Sequence, residues 1–391
     1  MTYFFLTWLF AQGLSVTLVW RFAIGLNRPE PRLEKQPRIA VIVAVKGYDP
    51  VVFDGFLDSL LDQDYPDYRV IFAVEDSGDR AVHLIEARRA RHPDRVALVV
   101  AGLGQDEGQK TTNLRAAAGR LTAQDEIVVL ADADIVPERD WLARLAQPLV
   151  AGTADVVSGF SWLVPRDRRL SSLALASMAA TVATLPRFSF MNGCWGGSTA
   201  LPRRRFEELG FPDAWRGTLS DDLQLTNLVQ QAGLRIAVPR ELLLPSPFIT
   251  SGFAEITAGA RRWYMLVRMH LPAAFAVTLA GMSFGATGWI AAVAGALLGN
   301  PQAARILAVA LALNVMRSAG RAAIVARLWG RPGMAENRAF LLADPLVTPL
   351  ALVLNAAYGW SAIGMRRTTW SGISYEMRGA KQVKILSREP R

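Results

Sequence analysis

Residues 126–134 read EIVVLADAD, an apolar run that is followed at once by two aspartates, Asp132 and Asp134. A short continuous apolar run that ends in polar residues is typical of a buried parallel strand. Three earlier runs have the same character, with helical stretches between them. The predicted strands are 39–45, 69–75, 96–101 and 126–131, and the predicted helices are 52–63, 80–91 and 108–120. This alternation predicts an α/β fold with a mostly parallel central sheet.

Acidic residues follow two of these predicted strands. Asp76 follows the second strand, and Asp132 and Asp134 follow the fourth. Ligands of parallel α/β sheets bind at the carboxyl ends of the strands. Two carboxylates one residue apart point to the same side and can hold a hard divalent cation that bridges a diphosphate, while an earlier carboxylate can hydrogen-bond a base or ribose. The alternative interpretation is a solvated turn, where Asp is common.

Two later motifs also have two interpretations each. Ser220-Asp221-Asp222-Leu223 precedes a helical stretch, so its acids either stabilise the helix start or include a general base for a substrate hydroxyl. Arg261-Arg262-Trp263 lies just before an apolar region. It is either a basic membrane flank with an interfacial Trp, or a site in which Arg262 faces a diphosphate and Trp263 packs beneath an acceptor.

The charge pattern argues against a nucleic-acid-binding protein. The 391 residues carry a net charge of +9, yet residues 39–260 sum to −6 and residues 364–391 to +5. The excess positive charge therefore lies beside or between apolar stretches, as expected of cytoplasmic flanks that face anionic lipid rather than of a groove that follows phosphates. One Cys and three His exclude an internal disulfide and argue against a zinc site.

The hydropathy predicts an integral membrane protein. The hydrophobic fraction is 51%, and residues 3–20 are uncharged and long enough, at roughly 27 Å as a helix, to span a bilayer. Because positive charge follows this stretch and none precedes it, residues 1–26 are predicted to be an uncleaved anchor with the chain from residue 28 onward in the cytoplasm.

A C-terminal transmembrane region is predicted over residues 271–363, followed by a basic cytoplasmic tail, 364–391. Its apolar stretches are 271–299, 303–329 and 339–363. Three crossings from a cytoplasmic domain would leave the tail outside, so one stretch does not cross or one forms a re-entrant pair. The stretch 303–329, which Arg317, Arg321 and Arg327 interrupt, is the weakest candidate, and the sequence leaves the number of crossings open.

A further apolar stretch, 170–186, lies inside the polar region 39–260. A crossing there would place Asp222 on the wrong side of the membrane. The stretch is therefore either a helix at the membrane interface that presents a lipid, or an ordinary core helix. Cys194 is interpreted as a small buried residue rather than a nucleophile.

The ordered set of motifs resembles the ceramide glucosyltransferase family, glycosyltransferase family 21, whose members are related to family 2 and have a GT-A fold. The resemblance runs from about residue 39 to 270 and reappears in the tail, and its strength lies in order and spacing rather than in any one motif. The matching residues are Lys46-Gly47, Asp64-Tyr65-Pro66, Asp76, Gln109-Lys110, Asn113-Leu114, Asp132, Asp134, Cys194, Gly197, Leu201, Asp222, Arg262-Trp263, Trp370, Tyr375 and Arg378.

The resemblance implies an inverting transfer of a hexose, most simply glucose, from a UDP-sugar to the hydroxyl of a membrane lipid such as ceramide or diacylglycerol. It implies a GT-A catalytic domain over residues 39–260, an interfacial Arg-Trp helix over 261–270, and a Mg²⁺ or Mn²⁺ ion held by Asp132 and Asp134. The composition, with Arg and Ala abundant and Lys scarce, suggests a bacterial member at the inner membrane.

The implied site residues fall into three groups. The donor would contact Lys46, Asp76, Lys110 and Asp132. The catalytic group would be Asp222 as the base, Arg262 facing the diphosphate, and Trp263. The acceptor would contact Trp263, Gly197 and Trp370.

The sequence departs from the family at three positions, which bear on the acceptor more than on the donor. They are Leu185, where animal members carry a His, and Asp221 and Gly259, where the family has a Glu and a Gln or Arg. Two other functions remain open at this point: a processive polysaccharide synthase, which needs a transmembrane channel, and a catalytically silent membrane scaffold.

Overall fold

The computed structural model describes residues 2–27, 29–48, 50–187 and 191–389. Met1 of the predicted anchor and residues 390 and 391 of the predicted tail lie outside these ranges. The centre of the molecule is a seven-stranded sheet with strand order β3-β2-β1-β4-β7-β5-β8. The strands are β1 (Ile39–Val45), β2 (Tyr68–Val74), β3 (Val96–Val100), β4 (Ile127–Ala131), β5 (Val156–Ser158), β7 (Ser198–Pro202) and β8 (Ile236–Ala237).

The first half of this sheet is parallel, because helices return the chain to the same edge after each strand. Strands β1, β2, β3 and β4 pair in parallel, whereas β7 runs antiparallel to both β4 and β5. The helices are α2 (Pro50–Leu61), α3 (Ala81–Arg91), α4 (Gln109–Ala118), α5 (Trp141–Val150), α7 (Arg203–Glu208) and α8 (Asp221–Gln231). The predicted α/β fold with a mostly parallel sheet is confirmed.

The core forms on both faces of the sheet because successive residues of a strand point to opposite sides. In β1, Val41 and Val43 belong to one apolar cluster, and Ala40 and Ile42 belong to the other. All of them are buried, so the carboxyl ends of the strands sit on a rigid support.

A second layer lies between this domain and the apolar helices. It contains a two-stranded parallel sheet, β6 (Phe160–Pro165) with β9 (Leu243–Phe248), and the helices α6 (Leu170–Ala183) and α9 (Phe253–His270). Helix α6 covers most of the apolar stretch 170–186, and nearly all of its inward side chains are small.

Four helices are long and apolar enough to cross a membrane: α1 (Thr2–Ile24), α10 (Pro272–Leu297), α11 (Pro301–Glu336) and α12 (Arg338–Ser361). Helix α11 bends at Gly330, whose φ of 59° lies outside the helical region. Polar side chains are buried between the helices, and among them Arg321 of α11 pairs with Asp344 of α12 at 2.6 Å. Membrane association is supported by these helices.

The segment expected as a basic tail holds three strands. They are β10 (Arg367–Trp370), β11 (Ile373–Gly379) and β12 (Gln382–Arg388), which form an antiparallel sheet that we call the C-terminal sheet. Its apolar face packs on α9 and on Leu219 through Ile373, Tyr375 and Met377. This packing brings the end of the chain back to the domain that contains the seven-stranded sheet.

Candidate active site

A cavity of about 400 Å³ lies at the carboxyl ends of β1 and β4. The central sheet supplies Lys46, Asp132 and Asp134 to its lining, helix α4 supplies Lys110, and the C-terminal sheet supplies Trp370. The predicted site residues Lys46, Lys110, Asp132, Asp134 and Trp370 are therefore brought together, although they are spread over more than 300 residues of sequence.

Lys110 is the electrostatic centre of this cavity. Its Nζ donates to Asp132 Oδ1 at 2.6 Å and lies 3.0 Å from Asp221 Oδ1. Burial alone would lower the pKa of Lys110, but the carboxylates of Asp132, Asp221 and Asp222 raise it above its usual range. The ammonium therefore stays charged and holds two carboxylates from different elements together.

The carboxylates around Lys110 are crowded. Loss of hydration within the recess, with repulsion from Asp132, raises the pKa of Asp134 to about 6. Burial also raises the pKa of Asp221, to about 6. The negative charges of Asp222 and Asp132 raise this pKa further, and the positive charge of Lys110 lowers it. One lysine thus does not neutralise this cluster of acids, and further positive charge is favoured there.

Asp132 and Asp134 fit a hard divalent cation. Among the described residues, no group of three His, Cys, Asp or Glu side chains is arranged to hold a metal ion. Nevertheless, Asp132 and Asp134 are two carboxylates that open into the cavity and repel each other. Mg²⁺ commonly takes two such oxygen ligands from a protein, while substrate phosphates and water complete its coordination shell. The protein would contribute two ligands and the substrate the others.

Asp222 and Asp221, at the start of α8, have different surroundings. Asp222 Oδ1 accepts from Ser220 Oγ at 2.6 Å and from Leu223 N at 2.7 Å, so it makes the contacts of a helix cap. Asp221 is buried and contacts Lys110. The sequence placed Asp221 in the acidic pair at the helix start but gave no sign of its contact with Lys110, because that contact spans 111 positions of the chain.

Arg262 and Trp263 lie on α9, beside the C-terminal sheet. The Arg262 guanidinium stands 5.0 Å from the centroid of the Trp370 ring, and burial lowers the pKa of Arg262. Trp263 is 48% exposed. The structure therefore joins two predicted site residues, Arg262 and Trp370, in one cation–π contact, while Trp263 presents an open aromatic surface.

The glycines before β7 are required by close packing. A Cβ on Gly197 would come within 2.3 Å of the Trp195 ring, and one on Gly196 within 2.6 Å of Asp221 Oδ2 and 2.8 Å of Lys110 Nζ. Cys194 is buried nearby, and its backbone N donates to Thr226 Oγ1. Gly196, which the sequence did not single out, is the glycine that touches the charged cluster.

A second cavity, of about 650 Å³, adjoins the first and shares Lys46 with it. Asp76 lines this cavity, and its Oδ1 accepts from Gly78 N at 2.6 Å. The neighbouring Glu75 is buried and pairs with Lys46 at 2.8 Å and with Arg388 at 2.5 Å. The acidic pair at residues 75 and 76 was a signal for Glu75, whereas nothing in the sequence pointed to Arg388.

Comparison with known proteins identifies the fold and the family to which this arrangement corresponds. A family model described as "Glycosyl transferase family 21" matches residues 2–383. A mannosyltransferase from Pyrobaculum calidifontis, solved with GDP-Man and Mn²⁺, is 24% identical, with a TM-score of 0.52 over 84% of this chain and 99% of that chain. This likeness shows the fold, and the predicted GT-A fold is confirmed.

Two further structures match with lower TM-scores. GalNAc-T7 with UDP, GalNAc and Mn²⁺ is 12% identical, with a TM-score of 0.42 over 55% of this chain and 44% of that chain. A glucosyl-3-phosphoglycerate synthase from Mycobacterium tuberculosis is 19% identical, with a TM-score of 0.38 over 60% of this chain and 81% of that chain.

Proposed function

The chain belongs to glycosyltransferase family 21, and we propose that it transfers a hexose, glucose in the first place, from a UDP-sugar to the hydroxyl of a membrane lipid such as ceramide or diacylglycerol. One observation carries the proposal. The cavity that contains Lys110, Asp132 and Asp134 is walled on one side by the C-terminal sheet, which packs on α9, and α9 leads directly into the apolar helices. A polar donor site and a route to lipid thus meet in one place.

On the donor side, the diphosphate would lie in the first cavity near Lys46 and Lys110, and the nucleoside would reach Asp76 in the second. Asp132 and Asp134 would hold Mg²⁺ or Mn²⁺. When bound, that ion supplies positive charge that stabilises the departing diphosphate. Lys110 holds Asp132 at 2.6 Å and so fixes the orientation of one of these carboxylates.

The transfer would be a single displacement. Asp222 would accept the proton of the lipid hydroxyl, whose oxygen forms a bond to the anomeric carbon of the hexose as the bond from that carbon to the diphosphate oxygen breaks. Arg262 would stabilise the negative charge that develops on the leaving group. Attack opposite the leaving group inverts the anomeric centre, so an α-linked donor would give a β-glycolipid.

On the acceptor side, Trp263, Trp370 and Gly197 would contact the lipid head and its hydroxyl. Trp263 is half-exposed and lies on the helix that precedes the apolar helix α10, and a Trp beside an apolar helix suits a membrane interface. We place the protein in the bacterial inner membrane with the catalytic domain in the cytoplasm, where UDP-sugars are made, and with basic residues facing anionic lipid.

The test is product analysis by mass spectrometry with the full chain in lipid nanodiscs. UDP-glucose, UDP-galactose and UDP-glucuronate would each be offered with ceramide and with diacylglycerol. Asp222→Asn is expected to lower turnover at least about 100-fold, in line with the loss of a general base. The surface variant Asp58→Asn, which removes an equivalent carboxylate far from the cavity, should match wild type.

Two outcomes would contradict the proposal. If Asp222→Asn turns over as fast as wild type, Asp222 is not the base. If wild type forms no glycolipid from any pair of substrates, the lipid-transferase proposal is wrong, and polymer from the same donor would favour a polysaccharide synthase.

A further inference from the structure

Glu75 joins two cations that come from opposite ends of the chain. Its Oε2 lies 2.8 Å from Lys46 Nζ, just after β1, and its Oε1 lies 2.5 Å from Arg388 Nη1, at the end of β12. Arg388 also donates through Nη2 to the carbonyl of Gly104 at 2.7 Å and to Gln109 Oε1 at 3.1 Å. The last strand of the chain is therefore bonded to the carboxyl edge of the central sheet.

Arg388 is held in this place by the whole C-terminal sheet. Tyr375 Oη accepts from the backbone N of Gln109 at 3.2 Å, and Glu389 N donates to the carbonyl of Gly372 at 2.8 Å. Gly217 fits against the hairpin at Lys381, where a Cβ would come within 2.7 Å of the Lys381 carbonyl. These contacts fix both the turn and the end of the sheet relative to α4.

The turn between β10 and β11 lies between the two cavities. Ser371 lines both of them, and Lys46 is shared as well. Ser371 and Gly372 have φ of 49° and 71°, so the turn is a tight one in the left-handed region. A molecule that occupies both cavities must pass between Lys46 and this turn.

We propose that Arg388 is a positioning residue for the donor, and that the C-terminal sheet is one wall of the nucleoside cavity. A nucleoside diphosphate has an acidic part and a neutral base and ribose, and the two connected cavities offer each part its own surroundings. Arg388 pairs with one oxygen of Glu75 and Lys46 pairs with the other, so two cations share the negative charge of Glu75. Glu75 therefore holds Lys46 at the junction of the two cavities without cancelling the whole positive charge of Lys46. This inference rests on the proposed use of a nucleotide-sugar donor.

Loss of Arg388 leaves Lys46 as the main cation beside a buried carboxylate. The whole charge of Glu75 would then act on Lys46, which already lies 2.8 Å away, and would compete with the diphosphate for it, so donor binding weakens in the ground state and transition state alike. For the full chain in nanodiscs, Arg388→Gln is therefore expected to raise the donor KM about tenfold with kcat changed less than about twofold.

The matched control is Arg367→Gln, on β10 of the same sheet. Arg367 is exposed and pairs with Glu376 at 3.1 Å, away from both cavities. Its donor KM should equal that of wild type, and Arg388→Lys should recover part of the loss because it restores charge without the two-pronged geometry. An Arg388→Gln enzyme with the donor KM of wild type would overturn the inference.

Hydrogen–deuterium exchange of the wild-type chain with UDP tests the same point without a variant that must fold. Protection is expected at residues 368–389 together with residues 74–76. If UDP protects the strand ends of the central sheet and leaves 368–389 unchanged, the wall does not exist in the bound state and the inference is wrong. If UDP protects no part of the chain, the proposed donor is wrong instead.

A separate observation concerns α12, whose two ends contact the same side of the molecule. At its start, Phe340 packs edge-on against Trp162 of β6, with ring centroids 6.2 Å apart. Near its end, Tyr358 Oη accepts from Thr257 Oγ1 of α9 at 3.2 Å, and just beyond it the carbonyl of Met365 accepts from Arg268 at 2.7 Å.

A helix of 24 residues is about 36 Å long and, if it crossed the bilayer, would place its ends on opposite faces. Trp8 of α1 packs on Trp289 of α10 roughly 25 Å along each helix from the end nearest the central sheet, whereas α12 contacts this cluster through Leu352 in its middle and has both ends beside the catalytic domain. We infer that α1, α10 and α11 cross, and that α12 lies along the membrane interface under α6 and α9.

This arrangement resolves the number of crossings that the sequence leaves open. Three crossings leave the end of α11 on the side of the catalytic domain, and α12 stays there, so the C-terminal sheet reaches Glu75 without a further crossing. The lipid bilayer is the partner of the outward face of α12, where Leu342 and Leu346 are exposed at 72% and 75%.

Cysteine accessibility tests this topology, because Cys194 is the sole cysteine of the chain. In a Cys194→Ser background, single cysteines would be placed by Leu298→Cys, Gly364→Cys and, as the catalytic-side control, Asp58→Cys. A membrane-impermeant maleimide applied to vesicles of known orientation should label positions 364 and 58 from one side and position 298 from the other. Labelling of 364 with 298, or of all three from one side, would overturn the inference.

Discussion

The ion pair between Arg321 and Asp344 gives the sharpest stability prediction. Both side chains are fully buried between α11 and α12, and Arg321 Nη1 lies 2.6 Å from Asp344 Oδ1. Ser177 Oγ of α6 donates to the same oxygen at 2.9 Å, and Ser318 Oγ donates to Oδ2 at 2.5 Å. The carboxylate therefore ties three helices together and compensates the Arg321 guanidinium.

Removing only one partner leaves the other charge buried and uncompensated, which typically costs about 3–5 kcal/mol. Asp344→Leu should therefore lower the free energy of unfolding by about that amount, and Arg321→Met by a similar amount. Replacing both removes the uncompensated charge, so the double variant should recover at least about half of the loss. In a chain of this size the single variants should melt roughly 4–6 °C lower.

The assay is thermal unfolding in detergent, followed by size-exclusion chromatography of the fraction that remains folded. Asp344→Asn is the shape-matched control, since it keeps the acceptor oxygen for Ser177 and loses only the charge. A double variant that is as unstable as the sum of the two single variants would refute the reasoning, because the energy would then lie in packing or in the hydroxyl contacts rather than in charge compensation.

Three further outcomes are expected. Lys110→Met should lower kcat roughly 100-fold or more through loss of a preorganised cation, while Lys384→Met on the exposed β12 should not, and equal rates for the two would contradict the role of Lys110. Gly196→Ala should reduce turnover, since its Cβ would lie 2.6 Å from Asp221 Oδ2, and the same kcat as wild type would show that the cluster can shift. Burial lowers the pKa of His270 from 6.5 to about 4, although the charge of Asp222 opposes this. Between these values the unfolded chain binds a proton that the folded chain does not, so the free energy of unfolding should fall as pH drops from about 6.5 to 4, by up to about 3 kcal/mol. Melting temperatures at pH 7.5 and 5.0 should differ less in His270→Gln than in wild type, and an unchanged difference would count against this explanation.

Local pattern predicted the parallel half of the sheet well. The runs 39–45 and 126–131 are continuous and apolar because β1 and β4 are covered on both faces. A strand that is buried on both faces can therefore be recognised from its own residues. The acids Asp132 and Asp134 follow from the same pattern, since the end of such a strand is where polar groups meet a cavity. The GT-A fold and the family that the motifs predicted are confirmed.

The C-terminal sheet shows why other parts were harder to predict. Val383 and Ile385 alternate with charged residues, which is a strand signal, but the basic residues of the segment also fit a membrane flank. Whether the segment forms strands or a membrane flank depends on whether an apolar surface exists for the strands to cover. That surface, built from Leu219 and Met265, comes from distant parts of the chain.

The sequence by itself therefore determined the sheet, the acids at its carboxyl edge and the apolar helices, because each depends on the character of neighbouring residues. Only the tertiary structure decided that Lys110 contacts Asp221, that Arg388 contacts Glu75 across 313 positions, and that the start of α12 contacts β6 while its end contacts α9. The physical reason is that a buried charge selects its partner by position in space. The chain brings such partners together only after its apolar faces have packed.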